Sequence, residues 1–286
     1  MKFGLSGLLF PHLAVERVIS NIGALGADYI ELIFDLPNLP PGFDLGGLPR
    51  LRKLVDAYGL GVSIHGPIWD LNPSSWIPQV RELALKYMRK SIDVCSALGG
   101  EIVVVHPGRC PFPQVAGFLS PAKDRFLSFT RKALKHARSR GVRLALENFP
   151  SNAEFPYSSP EEMLPLVQEL DGLGITFDVG HAFLNKRWRK LSSPEKRIAR
   201  EIELVGKYIV NIHLHDNHGE RDDHLPPGEG VINFRPIIAA MKKVGYDGLV
   251  TVELHRIGTK DPKETGRTGL KRARELFRAG TPPPQL

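Results

Sequence analysis

The sequence has few cysteines and no long hydrophobic run. Its 286 residues include 2 cysteines, Cys95 and Cys110, which cannot build a disulfide framework. No apolar stretch reaches the ~18 residues that a membrane-spanning helix needs. The apolar N-terminal stretch stops at Pro11 without a small-residue cleavage site, unlike a secretory signal. We therefore expect a cytoplasmic protein with reduced thiols and no membrane partner.

The chain also lacks any excess of acidic residues. Its formal net charge is +7, with 42% hydrophobic and 24% charged residues, which is an ordinary globular composition. Much of the positive charge falls in one predicted helix from Lys123 to Arg143, where Asp124 is the sole acidic residue. A basic helix face is usually a solvated surface, so this charge by itself is weak evidence for a nucleic-acid partner.

Short apolar segments alternate eight times with helical patterns. Segments such as Ile102–Val105 are continuous Val/Ile runs, which is typical of parallel strands buried on both faces. Between the segments, apolar residues recur with the helical period. The predicted strands are Lys2–Leu5, Tyr29–Ile33, Gly61–His65, Glu101–His106, Val142–Glu147, Ile175–Asp178, Ile209–Asp216 and Gly248–Glu253.

Eight strand–helix units without a composition break predict an α/β fold, a single (β/α)8 TIM barrel. The predicted barrel covers residues 1–279, and the Pro-rich residues 280–286 are expected to form a flexible tail. An open doubly wound sheet is the alternative, but no Gly-rich phosphate-binding turn follows the first strand. Connections from strand to helix are long, as in 107–121 and 217–233, and in a barrel they all lie at one mouth.

Acidic and histidine side chains stand at the ends of six successive predicted strands or in the loops that follow. Imidazole and carboxylate groups bind zinc, manganese or iron well. Several carboxylates in one desolvated pocket would repel each other unless a cation neutralised them. We therefore predict a divalent metal site, with zinc or manganese and one to three ions. The candidate ligands are His65, His106, Glu147, Asp178, His181, His213, Asp222, His224 and Glu253.

Other residues near the predicted mouth are candidates for binding a substrate. His215 shares a strand face with His213 and is expected to orient a ligand or contact the substrate. A basic cluster in the loop after strand six could bind a phosphate, with an aromatic ring that could stack on a sugar or base. A further cation follows Glu253. These candidates are Lys186, Arg187, Trp188 and Arg256.

Three segments are specific in combination, namely Asp178–His181, His213–Asp216 and His224–Gly230. Through them the chain resembles the xylose isomerase-like TIM-barrel superfamily. That superfamily includes sugar isomerases and epimerases, inosose dehydratase-type enzymes and the endonuclease IV branch. The resemblance extends over nearly the whole chain.

The resemblance implies roles for the candidate residues. The shared metal quartet would be Glu147, Asp178, His213 and Glu253, and the acid–base pair of the epimerases would be Glu147 and Glu253. The endonuclease IV branch adds two zinc ions. Its further ligands would be His65, His106, His181, Asp222 and His224, and all of these positions carry suitable residues.

Two loops depart from the nuclease pattern. Residues 34–41 after strand two lack a basic and aromatic insertion, and Asn148–Ser151 replaces a small Gly-containing turn. We therefore favour a metal-dependent isomerase or epimerase of a sugar or sugar phosphate, with Glu147 and Glu253 moving the proton beside a carbonyl. The alternative is an endonuclease IV-like zinc phosphodiesterase acting on nucleic acid. A metal-binding barrel without catalysis and a homo-oligomer remain open.

Overall fold

The computed structural model describes residues 1–150, 154–185, 191–255 and 261–278. Eight parallel strands form a closed barrel in chain order, and the last strand pairs with the first. This confirms the predicted (β/α)8 barrel. The strands are β1 (Lys2–Ser6), β2 (Tyr29–Ile33), β3 (Gly61–His65), β4 (Ile102–Val105), β5 (Arg143–Glu147), β6 (Leu173–Asp178), β7 (Ile209–Leu214) and β8 (Leu249–Val252).

Helices lie in the connections between the strands and after β8. No helix in the described ranges is both long and apolar enough to cross a membrane. The helices are α1 (Val15–Ala24), α2 (Leu48–Ala57), α3 (Pro78–Ala97), α4 (Ala116–Ser139), α5 (Pro160–Glu169), α6 (Val179–Phe183), α7 (Pro194–Val205), α8 (Phe234–Lys243) and α9 (Pro262–Arg278).

Several observed elements end earlier than the sequence predicted. Strand β4 ends at Val105, β7 at Leu214 and β8 at Val252, so the polar residues that follow are outside the ladder. The basic helix ends at Ser139 rather than at Arg143, which instead begins β5. The shorter strands place the polar residues that follow them at the mouth.

Alternating strand residues separate the outer core from the barrel interior. Ile30 and Leu32 of β2 and Ile64 of β3 belong to the apolar core that the strands share with the helices. Glu31 and Ser63 take the other side of these strands, are paired in register, and are hydrogen-bonded to each other inside the barrel. Barrel interiors are usually filled by branched apolar residues. Polar side chains therefore begin below the mouth in this barrel.

Candidate metal centre

The strand ends and the segments that follow them gather three groups of potential ligands at one mouth of the barrel. Within each group, the ligand atoms lie within 4.8 Å of one another. All of the predicted metal-ligand positions occur in these groups, and Glu147 belongs to two of them. The quartet is Glu147, Asp178, His213 and Glu253; the second group is His65, His106 and Glu147; the third is His181, His215, Asp222 and His224.

The Glu147 carboxylate connects the quartet to the second group. Its Oε2 lies 3.1 Å from Nε2 of His106 and 3.2 Å from Nε2 of His65. Its Oε1 lies 3.2 Å from Nδ1 of His213. Glu147 is only 1% exposed, so both oxygens contact these histidines rather than bulk water. Glu147 therefore offers one carboxylate oxygen to each of the two groups.

Three buried carboxylates converge on His213. Its Nδ1 lies 2.9 Å from Glu253 Oε2 and 3.7 Å from Asp178 Oδ2, in addition to the Glu147 contact. Asn148 fixes the backbone of Asp178, because its side-chain amide both accepts from the Asp178 N–H and donates to the Asp178 carbonyl. Buried carboxylates at this spacing require a compensating positive charge.

The third group is built around Asp222. One oxygen of this carboxylate, Oδ2, lies 3.0 Å from Nε2 of His181 and 2.9 Å from Nε2 of His224. His215 is fully buried, and its Nε2 lies 3.2 Å from the Asp178 carboxylate. The structure therefore places His215 beneath the cavity, against a quartet residue, rather than on the cavity wall.

Three histidines share one orientation. Each ring has its Nδ1 at hydrogen-bond distance from a main-chain carbonyl: His65 from Gly66 at 2.9 Å, His181 from Asn148 at 2.9 Å and His224 from Glu253 at 3.0 Å. A neutral ring that donates through Nδ1–H keeps the Nε2 lone pair free for a metal. In all three, Nε2 lies against a carboxylate oxygen, of Glu147 for His65 and of Asp222 for His181 and His224. The donor set therefore fits divalent cations such as zinc or manganese.

Asp216 holds the loop that carries Asp222 and His224. Its buried carboxylate accepts hydrogen bonds from the backbone N–H groups of Asn217, Gly228 and Ile232. His224 has a φ of 48°, in the left-handed region that non-glycine residues seldom occupy. Such backbone geometry persists only where the surrounding structure enforces it.

Burial and pairing shift the pKa values of the site in opposite directions. Burial would raise the pKa of Glu147, but His213 and the neighbouring histidines hold it well below its ordinary value. Burial would lower the pKa of His213, but Glu253 and the other carboxylates raise it well above. The pKa of His224 rises to about 9 because Asp222 outweighs burial. Burial lowers the pKa of His106 to about 4.

A cavity of about 330 Å³ opens above the three groups. Its floor is polar, and its walls include the apolar side chains of Ile68, Trp69, Phe149 and Phe155. Arg109 is the sole Lys or Arg among the described lining residues. Asn72 fixes its backbone, accepting from the Arg109 N–H and donating to the Arg109 carbonyl. A mostly apolar cavity with convergent polar groups is the usual form of a small-molecule site.

Sequence reasoning missed two charged residues of this region. Glu31 is the sole charged residue of the predicted second strand, and that unusual position was a usable signal. Arg109 lies three residues after His106 and gave no distinguishing pattern. The predicted substrate contacts Lys186, Arg187, Trp188 and Arg256 lie outside the described residues.

Comparisons with known proteins agree with this architecture. A family model described as xylose isomerase-like TIM barrel matches residues 19–279. The uncharacterized protein MJ1311 of Methanocaldococcus jannaschii is 32% identical over 256 residues, covering 88% of this chain and 83% of its own. A crystal structure of a D-tagatose 3-epimerase-like protein superposes with a TM-score of 0.79 at 30% identity, covering 98% of this chain and 99% of its own. Fructoselysine 3-epimerase of Shigella flexneri is 22% identical over 287 residues, covering 97% of this chain and 98% of its own.

Proposed function

Because the chain belongs to the xylose isomerase-like TIM-barrel family, we propose that it is a divalent-metal-dependent epimerase or isomerase of a sugar or sugar phosphate. The observation that carries this proposal is the placement of Glu147 and Glu253 against one ring nitrogen, Nδ1 of His213, at 3.2 and 2.9 Å. Two carboxylates at one centre can serve as the base that removes a proton and the acid that returns one. The D-tagatose 3-epimerase-like neighbour and the fructoselysine 3-epimerase relative support this reaction class.

The quartet residues would hold the cation. A divalent ion held by Glu147, Asp178, His213 and Glu253 would supply Lewis-acid polarisation of a substrate carbonyl. The pKa values of Glu147 and Glu253 lie well below the ordinary value of a glutamate, because His213 outweighs the effect of burial. Both carboxylates therefore begin in the basic form, which can accept a proton from the carbon beside the carbonyl.

The walls of the cavity suit a sugar ring or chain. The apolar faces of Phe149 and Trp69 can pack against C–H groups and exclude water from the reacting carbon. A phosphate at the far end of the substrate would find a cation in Arg109, whose backbone Asn72 holds in place. The Arg109 side chain thus favours a phosphorylated substrate over a neutral one.

An endonuclease IV-like zinc phosphodiesterase remains the second candidate. The specific observation in its favour is the complete third group, in which His181 and His224 both face one oxygen of Asp222. An epimerase needs the quartet alone. A phosphodiesterase with several zinc ions would use all three groups to stabilise the attacking and leaving oxygens.

Exchange of substrate hydrogen with solvent tests the first candidate. The protein, loaded with Mn²⁺ or Zn²⁺, is incubated in D2O with a panel of ketoses and ketose phosphates. We expect one deuterium to enter beside the carbonyl, and each of Glu147→Gln and Glu253→Gln to slow its entry by about 10²–10⁴-fold. Cleavage of abasic DNA without deuterium entry into any sugar would instead support the phosphodiesterase.

The matched control for these variants is Glu201→Gln. Glu201 is equally buried, but it pairs with Arg197 on α7 rather than with the mouth histidines. We expect this change to leave deuterium entry intact. Equal loss of exchange in Glu201→Gln and Glu147→Gln would show that burial, rather than position at the centre, explains the effect.

A further inference from the structure

Glu31 is a buried acid that the proposed reaction does not use. It lies on β2 inside the barrel with 0% of its surface exposed. A carboxylate taken out of water is costly unless it is paired and hydrogen-bonded. Its contacts therefore indicate what the charge does at this position.

The two oxygens of Glu31 have different surroundings. Oε2 accepts hydrogen bonds from the Ser63 hydroxyl at 3.1 Å and from the Asn211 side-chain amide at 3.4 Å. Oε1 has no aligned hydrogen-bond partner among the described residues, and it lies 3.1 Å from Nε2 of His213. Nε2 of His213 likewise has no aligned hydrogen-bond partner there. These two buried atoms therefore lie within hydrogen-bond distance of each other and are otherwise unpaired within that part of the chain.

A chain of hydroxyl and amide groups fixes which atom of Asn211 faces Glu31. The Tyr29 hydroxyl lies 2.7 Å from Oγ1 of Thr251, which donates to Oδ1 of Asn211. With its oxygen engaged in this way, Asn211 presents its Nδ2 donor to Glu31. The Oε2 side of Glu31 is thereby held by donors, and Oε1 is left for His213.

The two ring nitrogens of His213 therefore have separate tasks. Nε2 faces Glu31, and Nδ1 faces the carboxylates of the quartet. A histidine binds a metal through the nitrogen that lacks the proton, and the bond made by the other nitrogen selects that form. A carboxylate at Nε2 selects the form with Nε2–H and a free Nδ1 lone pair.

We infer that Glu31 is a positioning residue, which accepts the Nε2–H of His213 and so presents Nδ1 to a cation held by the quartet. The inference rests on the cation site of the proposed function. The polar residues inside the barrel, Ser63, Asn211 and Thr251, are the support that aims this carboxylate. The charge buried on β2 thereby acts on the metal centre without touching the substrate.

Glu31→Gln is the direct test, because it keeps the shape and removes the charge. If the new NH2 group takes the place of Oε2, two donors face each other, because Asn211 presents its Nδ2 group at this position. The Asn211 amide cannot flip to present its oxygen instead, since that oxygen accepts from Thr251. If it takes the place of Oε1, it donates to Nε2 of His213 and favours the proton on Nδ1. A neutral amide therefore favours the wrong tautomer or loses a hydrogen bond.

The tautomer is measured by long-range ¹H–¹⁵N NMR on protein labelled at histidine and loaded with Zn²⁺. We expect His213 to carry its proton on Nε2 in the wild type, a result that needs no variant. In Glu31→Gln we expect Zn²⁺ affinity at the quartet, measured against a chelator, to fall by about 10–100-fold. A wild-type His213 protonated on Nδ1, or unchanged affinity in Glu31→Gln, would overturn the inference.

Ser63→Ala is a graded comparison, because it removes one of the two bonds to Oε2 but keeps the Glu31 charge near His213. We expect its Zn²⁺ affinity to fall by less than that of Glu31→Gln, since the Asn211 donor still holds Oε2. Asp178→Asn separates this inference from the proposed function. If Asp178→Asn leaves Zn²⁺ binding unchanged, the quartet site itself is wrong; if that variant loses Zn²⁺ while Glu31→Gln keeps it, only the role of Glu31 is wrong.

Discussion

The imidazole rings of His215 and His224 stack with their centroids 4.0 Å apart and their planes within 13° of parallel. His215 follows β7, whereas His224 stands in the long loop between β7 and α8 with a left-handed backbone. The stacking packs the loop that carries His224 and Asp222 against the end of β7. The third group is thus assembled by local structure that the quartet does not require.

His224→Ala distinguishes the two candidate functions. We expect the variant to bind one zinc ion fewer per chain, because Asp222 and His181 lose a partner at the third group. Epimerase activity should change by less than about tenfold, since the acid–base step proposed for the quartet does not use His224. Metal is counted by elemental analysis of dialysed protein, and activity by deuterium entry.

The control for this variant is His218→Ala, since that ring is 60% exposed and pairs with Asp223 outside the three groups. We expect it to retain both metal and activity. Loss of all turnover in His224→Ala with the quartet ion still bound would favour the phosphodiesterase.

Cation affinity should rise with pH. The pKa of His224 is raised to about 9, and that of His213 lies well above its ordinary value. Near neutral pH and without a cation, both rings are therefore in the charged form, with a proton on each nitrogen. A cation must displace these protons. We expect Zn²⁺ affinity to increase from about pH 6 to about pH 9 and proton release to decline across this range. Calorimetry in buffers of different ionisation enthalpy measures both.

The stability of chelator-treated protein should show the opposite trend. A histidine whose pKa is raised on folding stabilises the protein below its unfolded pKa of about 6.5, and that contribution disappears as pH rises through the folded value. For His224 the loss is complete above about pH 9. We expect Tm to fall between these limits without metal and to fall less with Zn²⁺. Equal pH dependence in both forms would contradict the pairing.

Arg109→Gln tests the proposed preference for a phosphorylated substrate. Removal of a charged hydrogen-bond donor should raise KM for ketose phosphates by about 10–100-fold and leave KM for neutral ketoses nearly unchanged. Arg143→Gln is the control, because Arg143 is exposed at the first residue of β5, at the other end of the barrel. An equal rise in KM for both substrate classes would argue against a phosphate contact.

Gly180→Ala should disturb the third group through packing. A Cβ atom at Gly180 would lie 2.0 Å from Cε1 of the His215 ring, so the ring or the helix must move. We expect a loss of about 1–3 kcal/mol in unfolding free energy, measured with urea. Gly117→Ala is the control, since its Cβ would meet nothing within 4 Å in helix α4. That change should stabilise the protein or leave it unaffected.

The barrel and its mouth could be predicted from two features of the sequence. The spacing of apolar residues indicates strands and helices, and the positions of polar residues at the strand ends indicate the mouth. Continuous apolar segments such as Ile102–Val105 indicate strands buried on both faces. Closure of eight parallel strands then brings every carboxyl end to one ring. His106, Glu147 and Asp178, far apart in the chain, had to approach one another once the fold was known. That these residues bind a metal stays a prediction.

By itself, the sequence determined which residue types stand at the strand ends, because each is encoded next to its own apolar segment. Only the tertiary structure decided the pairings: Glu147 shared between two groups, His215 set beneath Asp178, and Glu31 aimed at His213. These contacts join residues of different strands, and their distances depend on strand register and on the twist that closes the barrel. No local pattern in one strand encodes what lies across the barrel from it.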